Sequence, residues 1–68
     1  MLSDMLLWNK IGRVVTRLSE TLDIDILRAI DIFYRSKVCK DLHDPETELY
    51  LRGDMYILND LLDELRQA

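Results

Sequence analysis

The chain has 68 residues, a mass of 8.1 kDa and a formal net charge of −4. It is 49% hydrophobic and 32% charged, with two Gly and one Pro, which excludes a disordered chain and disfavours a small all-β fold. One Cys excludes an intramolecular disulfide, and one Cys with one His excludes the usual zinc sites. We therefore expect residues 1–68 to form a single helical domain.

The first predicted helix runs from Met5 to Leu22. Its apolar residues recur every three or four positions, as in one stripe of a helix: Leu7, Ile11, Val14, Val15, Leu18 and Leu22. Ser3 suits the N-cap, and Asp4 follows in the first turn, where the helix dipole favours an acid. Gly12 interrupts the helix at a cost of about 1 kcal/mol relative to Ala, and either marks the close approach of another helix or is simply tolerated.

A second helix is predicted from Ile26 to Arg35, after a break in which Asp25 or Asp23 acts as the cap. It is apolar nearly all round, apart from one polar stripe of Arg28, Asp31 and Arg35. Asp31 and Arg35 have the i, i+4 spacing of a favourable ion pair. Because a helix that is apolar on most sides is usually buried, we expect this helix in the middle of the fold, with a partner chain on its spare side.

Two more helices are predicted. Ser36 caps a short third helix, which ends at residues 43–45 because the residue before Pro is displaced from the helical region. Residues 44–47 predict a turn with Pro45 at its second position, and residues 48–52 a brief extended segment. Asp54 then caps the last helix, whose stripe is Met55, Leu58, Leu61, Leu62 and Leu65. The predicted fold is all-α, a small bundle of three long helices and one short helix with a turn-rich excursion before the last one.

Residues 25–36 read DILRAIDIFYRS, and residues 42–47, 49–50 and 56–57 follow at fixed offsets. This string, from about Leu18 to Leu65, resembles a family of short bacterial proteins that are grouped only as a domain of unknown function. Some members of that family are encoded beside toxin-like genes, including ADP-ribosyltransferase-like ones. The resemblance implies an antitoxin-like or accessory role, and it carries no active-site residues over to this chain.

Charge is distributed unevenly along the chain. Residues 1–40 hold seven basic and five acidic residues, a balance of +2, and residues 41–68 hold two basic and eight acidic residues, a balance of −6. The two halves can attract each other within one chain or between two chains. The alternative is that these charges form ordinary solvated faces, since an exposed ion pair contributes only ~0–1 kcal/mol to stability.

The start of the chain predicts neither a signal peptide nor a membrane span. Residues 1–4 lack a basic segment, and the apolar run from Met5 to Trp8 is far shorter than the roughly 20 residues of a spanning helix. Together with the single unpaired Cys, this predicts a cytoplasmic protein without membrane contact.

Candidate chemical groups are few. His43, between Asp41 and Asp44, is either a general base or a cation suited to a helix C-terminus. Cys39, beside Lys40, is either a reactive thiol or a small buried hydrophobe. The acids at positions 41, 44, 46 and 48 do not have the spacing of a calcium loop. We assign no catalytic, cofactor-binding or metal-ligating residue, and expect no enzyme and no cofactor.

The primary functional prediction is a non-enzymatic module that binds another protein chain, either a second copy or a different protein. A core this small rarely supplies more than about 3–5 kcal/mol unaided, so we expect a homo-oligomer or a complex. The candidate interface residues come from the first stripe and from the large aromatics: Leu7, Trp8, Ile11, Leu18, Tyr50 and Tyr56.

The alternative prediction is a small DNA-binding regulator of the helix-turn-helix type. Arg35, Lys37 and Lys40 would supply its phosphate contacts. The acidic balance of the chain and the small number of basic residues make nucleic acid an unfavoured partner.

Overall fold

The structure is a computed structural model that describes residues 4–67. It has four α-helices: α1 (Asp4–Leu22), α2 (Ile26–Tyr34), α3 (Lys37–His43) and α4 (Asp54–Gln67). Two single-turn 3₁₀ helices, Pro45–Thr47 and Leu49–Leu51, lie between α3 and α4. The predicted all-α class is confirmed for residues 4–67, none of which lies in a strand. None of the helices in this range has both the length and the apolar character needed to cross a bilayer.

The structure confirms two of the predicted helix caps. The Asp25 carboxylate accepts a hydrogen bond from the Leu27 amide at 3.2 Å at the start of α2. The Ser36 hydroxyl accepts one from the Cys39 amide at 3.1 Å at the start of α3. Ser3, the cap predicted for α1, lies outside the described residues.

The cap predicted at Asp54 is wrong. Asp54 is the first residue of α4, and the first carbonyl to accept from this helix is that of Gly53, which binds the Ile57 amide at 3.1 Å. The Asp54 carboxylate points instead to Arg13 on α1. The Asp54 carboxylate therefore binds the Arg13 guanidinium instead of a backbone amide in the first turn of α4.

The core lies where α1 meets the other helices. Buried apolar side chains come from every helix and from the second 3₁₀ turn: Ile11, Val14, Val15, Leu18, Ala29, Phe33, Val38, Cys39, Leu42, Leu49, Ile57, Leu58 and Leu61. α1 packs against both α2 and α4. α2 contacts both helices that flank it in sequence, α1 and α3. The prediction that α2 occupies the middle is nevertheless wrong, because the 19-residue α1 packs against both α2 and α4, whereas the nine-residue α2 buries only Ala29 and Phe33.

The excursion before α4 is helical where an extended segment is predicted. The Thr47 amide donates to the Asp44 carbonyl at 3.2 Å, as the predicted turn requires. Glu48 then adopts the left-handed region, with φ 57°, between the two 3₁₀ turns. Leu49, the first residue of the second turn, lies in the core and is 7% exposed.

The predicted stripe of α4 faces the core except at its first residue. Leu58 and Leu61 are buried, and Leu62 and Leu65 pack against the core. Ile57, beside the stripe, is also buried, whereas Met55 is 51% exposed, so the prediction of Met55 for the buried face is wrong.

Candidate interaction surface

Helices α1 and α2 leave an apolar groove open to solvent, which we call the α1–α2 groove. Uncharged residues of the two helices line it: Trp8, Ile11, Gly12, Val15, Thr16, Ile26, Ile30 and Tyr34. Ile11 and Val15 are buried, whereas Trp8, Ile26, Ile30 and Tyr34 are 56, 41, 36 and 46% exposed. The groove therefore has a buried apolar floor and exposed apolar walls.

Helical spacing explains how the sequence builds this groove. Trp8, Gly12 and Thr16 recur every four residues on α1, as do Ile26, Ile30 and Tyr34 on α2, so each set lies along one side of its helix. Met5 precedes Trp8 by one turn and Leu27 precedes Ile30 by one turn, and these two side chains are 74 and 70% exposed. They are exposed apolar side chains next to the groove residues along each helix, but neither of them lines the groove.

The link between α1 and α2 holds the two walls together. Asp23 adopts a left-handed conformation with φ 53°, and the Ile24 amide then donates to the Ser19 carbonyl at 3.0 Å. The Ser19 hydroxyl returns a hydrogen bond to the Ile24 carbonyl at 2.6 Å. α1 and α2 pack directly against each other on either side of this short link, so both walls of the groove belong to one local helix–turn–helix hairpin.

Gly12 leaves a depression in the groove. A Cβ atom added at Gly12 would have no described atom within 4 Å outside the helix's own turn. No described part of this chain therefore packs closely against Gly12, although a close approach by another helix was one of the two explanations for this glycine. The space above Gly12 is open to a group from elsewhere.

The six predicted interface residues fall into three groups. Leu18 is 0% exposed in the core, so its prediction for an interface is wrong; Ile11 is 4% exposed but also lines the floor of the α1–α2 groove. Leu7 and Tyr50 are partly buried and pack against that core. Trp8 and Tyr56 are each 56% exposed, but only Trp8 lines the α1–α2 groove.

Tyr56 belongs to a different surface. The Arg52 guanidinium carbon lies 5.4 Å from the centre of the Tyr56 ring, the geometry of a cation–π contact. Leu51 and Met55, which neighbour these two residues in sequence, are 65 and 51% exposed. The structure therefore does not bring the two exposed aromatic candidates together in one groove.

An ion pair on α1 joins the two oppositely charged halves of the chain. Arg13 Nε donates to Asp54 Oδ2 at 2.6 Å and Arg13 Nη2 to Asp54 Oδ1 at 3.4 Å, with Lys10 Nζ 3.9 Å from the same carboxylate. The Arg13 hydrogen bond lowers the pKa of Asp54, the positive charges of Arg13, Lys10 and Arg17 lower it further, and burial opposes them. This pair fixes the start of α4 on α1.

Cys39 and His43 lie together on α3, but their geometry does not activate the thiol. His43 Nδ1 is 2.8 Å from the Cys39 carbonyl oxygen and 3.9 Å from Cys39 Sγ. Because a carbonyl oxygen only accepts, Nδ1 must carry the proton, and it then has no lone pair to take one from the thiol. Burial raises the pKa of Cys39, which further reduces the thiolate at neutral pH.

Lys37, one of the three basic residues of the DNA-binding alternative, lies on an acidic surface. Glu64 of α4 accepts hydrogen bonds from the Lys37 amide at 2.9 Å and the Val38 amide at 3.2 Å, so a carboxylate already occupies the N-terminus of α3. Asp41, Asp60 and Asp63 line the same surface as Lys37 and Glu64. This negative surround would repel a nucleic-acid backbone.

Glu64 is a structural position that the sequence does not reveal, whereas Gly12 is visible in the sequence as a break in the helical pattern. Glu64 caps a helix to which it is not adjacent in sequence, so no local motif announces it. Gly12 has a local signal, since it follows Trp8 by one turn on a helix that is otherwise a good helix former. Within residues 4–67, no three His, Cys, Asp or Glu side chains come together as candidate metal ligands.

Comparison of the chain with protein-family models, with curated proteins and with solved structures finds no significant match.

Proposed function

We propose that this chain is a non-enzymatic protein-interaction module that binds another polypeptide in the α1–α2 groove. The observation that supports this most strongly is the exposure of Trp8, Ile26, Ile30 and Tyr34 around an uncharged floor. Interfaces place aromatic and aliphatic anchors in such surfaces and keep charges to the rim.

The module in this proposal is the small bundle of α1, α2 and α4 with the short α3, acting as one domain in the cytoplasm. Its partner is a polypeptide with an apolar face, either a second copy or another protein. The resemblance to short bacterial proteins implies an antitoxin-like or accessory role, and binding another polypeptide agrees with such a role.

The absence of an assigned reaction also agrees with a binding role. The described residues that come nearest to a catalytic pair are Cys39 and His43, whose hydrogen bonding leaves the thiol protonated. The proposal therefore assigns no catalytic residue and no cofactor.

Affinity capture from source cells tests the proposal, using the tagged chain and two variants. Trp8→Ala removes one wall of the groove, and Tyr56→Ala is the matched control because both aromatics are 56% exposed. We expect Trp8→Ala to lower the recovery of bound polypeptide, untagged copies of this chain included, by about tenfold, as for an interface hot spot. Tyr56→Ala should leave recovery unchanged.

A third variant, Ile30→Asp, places a charge on the opposite wall and should abolish capture. Far-UV circular dichroism of each variant establishes that the helices persist. Recovery that is the same for the parent chain, Trp8→Ala and Ile30→Asp would overturn the proposal.

A further inference from the structure

We propose that the polypeptide bound in the α1–α2 groove is a second copy of this chain, related by a twofold axis, with Trp8 of each copy seated over Gly12 of the other. The inference rests on the proposed function, because it requires the groove to be a docking surface.

The first argument is shape. In a twofold interface the same surface patch meets itself, so each projecting group needs a matching depression on the same patch. Trp8 projects from α1 and is 56% exposed, and Gly12, one turn further on, offers open space. A twofold axis that crosses α1 midway between these residues brings two antiparallel α1 helices together and places each indole over the glycine of the other copy.

The second argument is charge. Two copies of a chain with net charge −4 repel each other, so a self-contact is favourable only where the acidic side chains stay solvated. Residues 41–68 carry the excess of eight acidic over two basic residues, and no charged residue lines the α1–α2 groove. The acidic side chains at α3 and α4, by contrast, form a surface on which two copies would repel: Asp41, Asp60, Asp63 and Glu64.

The third argument is area. The exposed parts of Trp8, Ile26, Ile30 and Tyr34 amount to roughly 370 Å² on one copy, and Met5 and Leu27, one turn away on the same helices, bring the sum to roughly 650 Å². Two copies would then bury at most about 1,300 Å², at the lower end of the range of specific protein interfaces. Two helical hairpins joined in this way form a four-helix core, which adds to the small core of a 68-residue chain.

Sedimentation equilibrium of the purified chain, over micromolar to submillimolar concentration, tests the inference with Gly12→Leu. This substitution fills the depression, and it cannot weaken α1 because Leu is a much better helix former than Gly. We expect the parent chain to dimerise and Gly12→Leu to raise the dimer dissociation constant by about tenfold or more. Thr21→Leu, which adds the same side chain to an exposed α1 position outside the groove, should leave it unchanged.

Tryptophan fluorescence provides a second measurement, because Trp8 is the only Trp in the chain. Its emission should shift to shorter wavelength as the concentration of the parent chain rises and the indole is covered. Gly12→Leu should keep the emission of the exposed indole throughout this range.

Two results would overturn the inference: a parent chain that stays monomeric, or a dimer that Gly12→Leu leaves intact. If the chain is monomeric but captures another protein through Trp8, the second copy is rejected and the proposed function stands. If the chain is monomeric and Trp8→Ala has no effect on capture, both are rejected.

Discussion

Asp54 shows how one residue can serve the tertiary structure where sequence suggests a local role. Its place before a helical stripe predicts a helix cap, yet its carboxylate binds Arg13, 41 residues away in the chain. The attraction predicted between the basic and the acidic half of the sequence is thus made within one chain at this pair. Sequence could not select the pair, because several acidic residues of the second half are equally available to Arg13.

Replacing Asp54 by Asn should lower the stability at neutral pH by a small amount and leave it unaffected at low pH. The pKa of Asp54 is lowered in the folded chain, so the ion pair stabilises the fold at pH values above about 3.9, the unfolded pKa of Asp. That stabilisation is lost as the pH falls through the lower folded pKa. The urea midpoints of the parent chain and Asp54→Asn should therefore differ at pH 7 and converge as the pH falls through the lowered pKa of Asp54 in the folded chain.

Asp60→Asn is the control for this prediction, since Asp60 is exposed on the same helix. It should give the same midpoint as the parent chain at both pH values. If the urea midpoints of the parent chain and Asp54→Asn differ as much at low pH as at pH 7, the ion pair with Arg13 is not the source of the difference in stability.

Helix α1 presents two apolar surfaces, and only one of them is covered by its own chain. Ile11, Val14, Val15 and Leu18 face the core, whereas Trp8 lies at the open groove. The apolar stripe in the sequence identifies the buried side of the helix, but periodicity does not say whether the covering atoms belong to the same chain. This is why Ile11 and Leu18 are predicted for an interface and found in the core.

Leu18→Ala and Trp8→Ala should therefore have opposite consequences for folding. Leu18 is 0% exposed, and removing a fully buried Leu costs about 2–5 kcal/mol, comparable with the entire stability of a chain of this size. We expect Leu18→Ala to lose its cooperative thermal transition, while Trp8→Ala keeps one. Circular dichroism during heating measures both, and an unfolded Trp8→Ala would mean that Trp8 is a structural residue.

The short helix α3 depends on a residue of α4. Seven residues are too few to form a stable helix alone, and Glu64 supplies acceptors for two amides of its first turn. Ser36 supplies the acceptor for a third, from Cys39. A local cap and a distant carboxylate therefore act together at one helix end.

Glu64→Ala should lower the free energy of unfolding by about 1 kcal/mol, the typical cost of removing a helix cap. For a chain of this length that corresponds to a melting temperature lower by about 4–8 °C. Glu64→Gln keeps one acceptor oxygen and should lose less stability.

Asp60→Ala, on the exposed side of α4, is the control and should leave the melting temperature within error of that of the parent chain. If Asp60→Ala and Glu64→Ala lower the melting temperature equally, Glu64 does not act as a cap.

For the whole molecule, the sequence predicts local features well and contacts between helices poorly. The caps at Asp25 and Ser36 and the turn at Pro45 depend on neighbouring residues, and the structure confirms each of them. Which helix lies in the middle depends on helix length and on how the faces are shared, which no single segment encodes. The open groove likewise depends on two helices. The sequence of residues 26–34 predicts that α2 has an uncovered apolar side, but the open space over Gly12 belongs to α1.

The order in which these contacts can form follows from the link between α1 and α2. This hairpin joins residues that are close in sequence, whereas docking α4 on α1 must close a loop of some forty residues, which costs more entropy. A chain with mostly local helix pairing folds within microseconds to milliseconds, with the distant segment arriving late. All of the residues that line the groove lie between positions 8 and 34, so the late contact between α1 and α4 adds nothing to that lining.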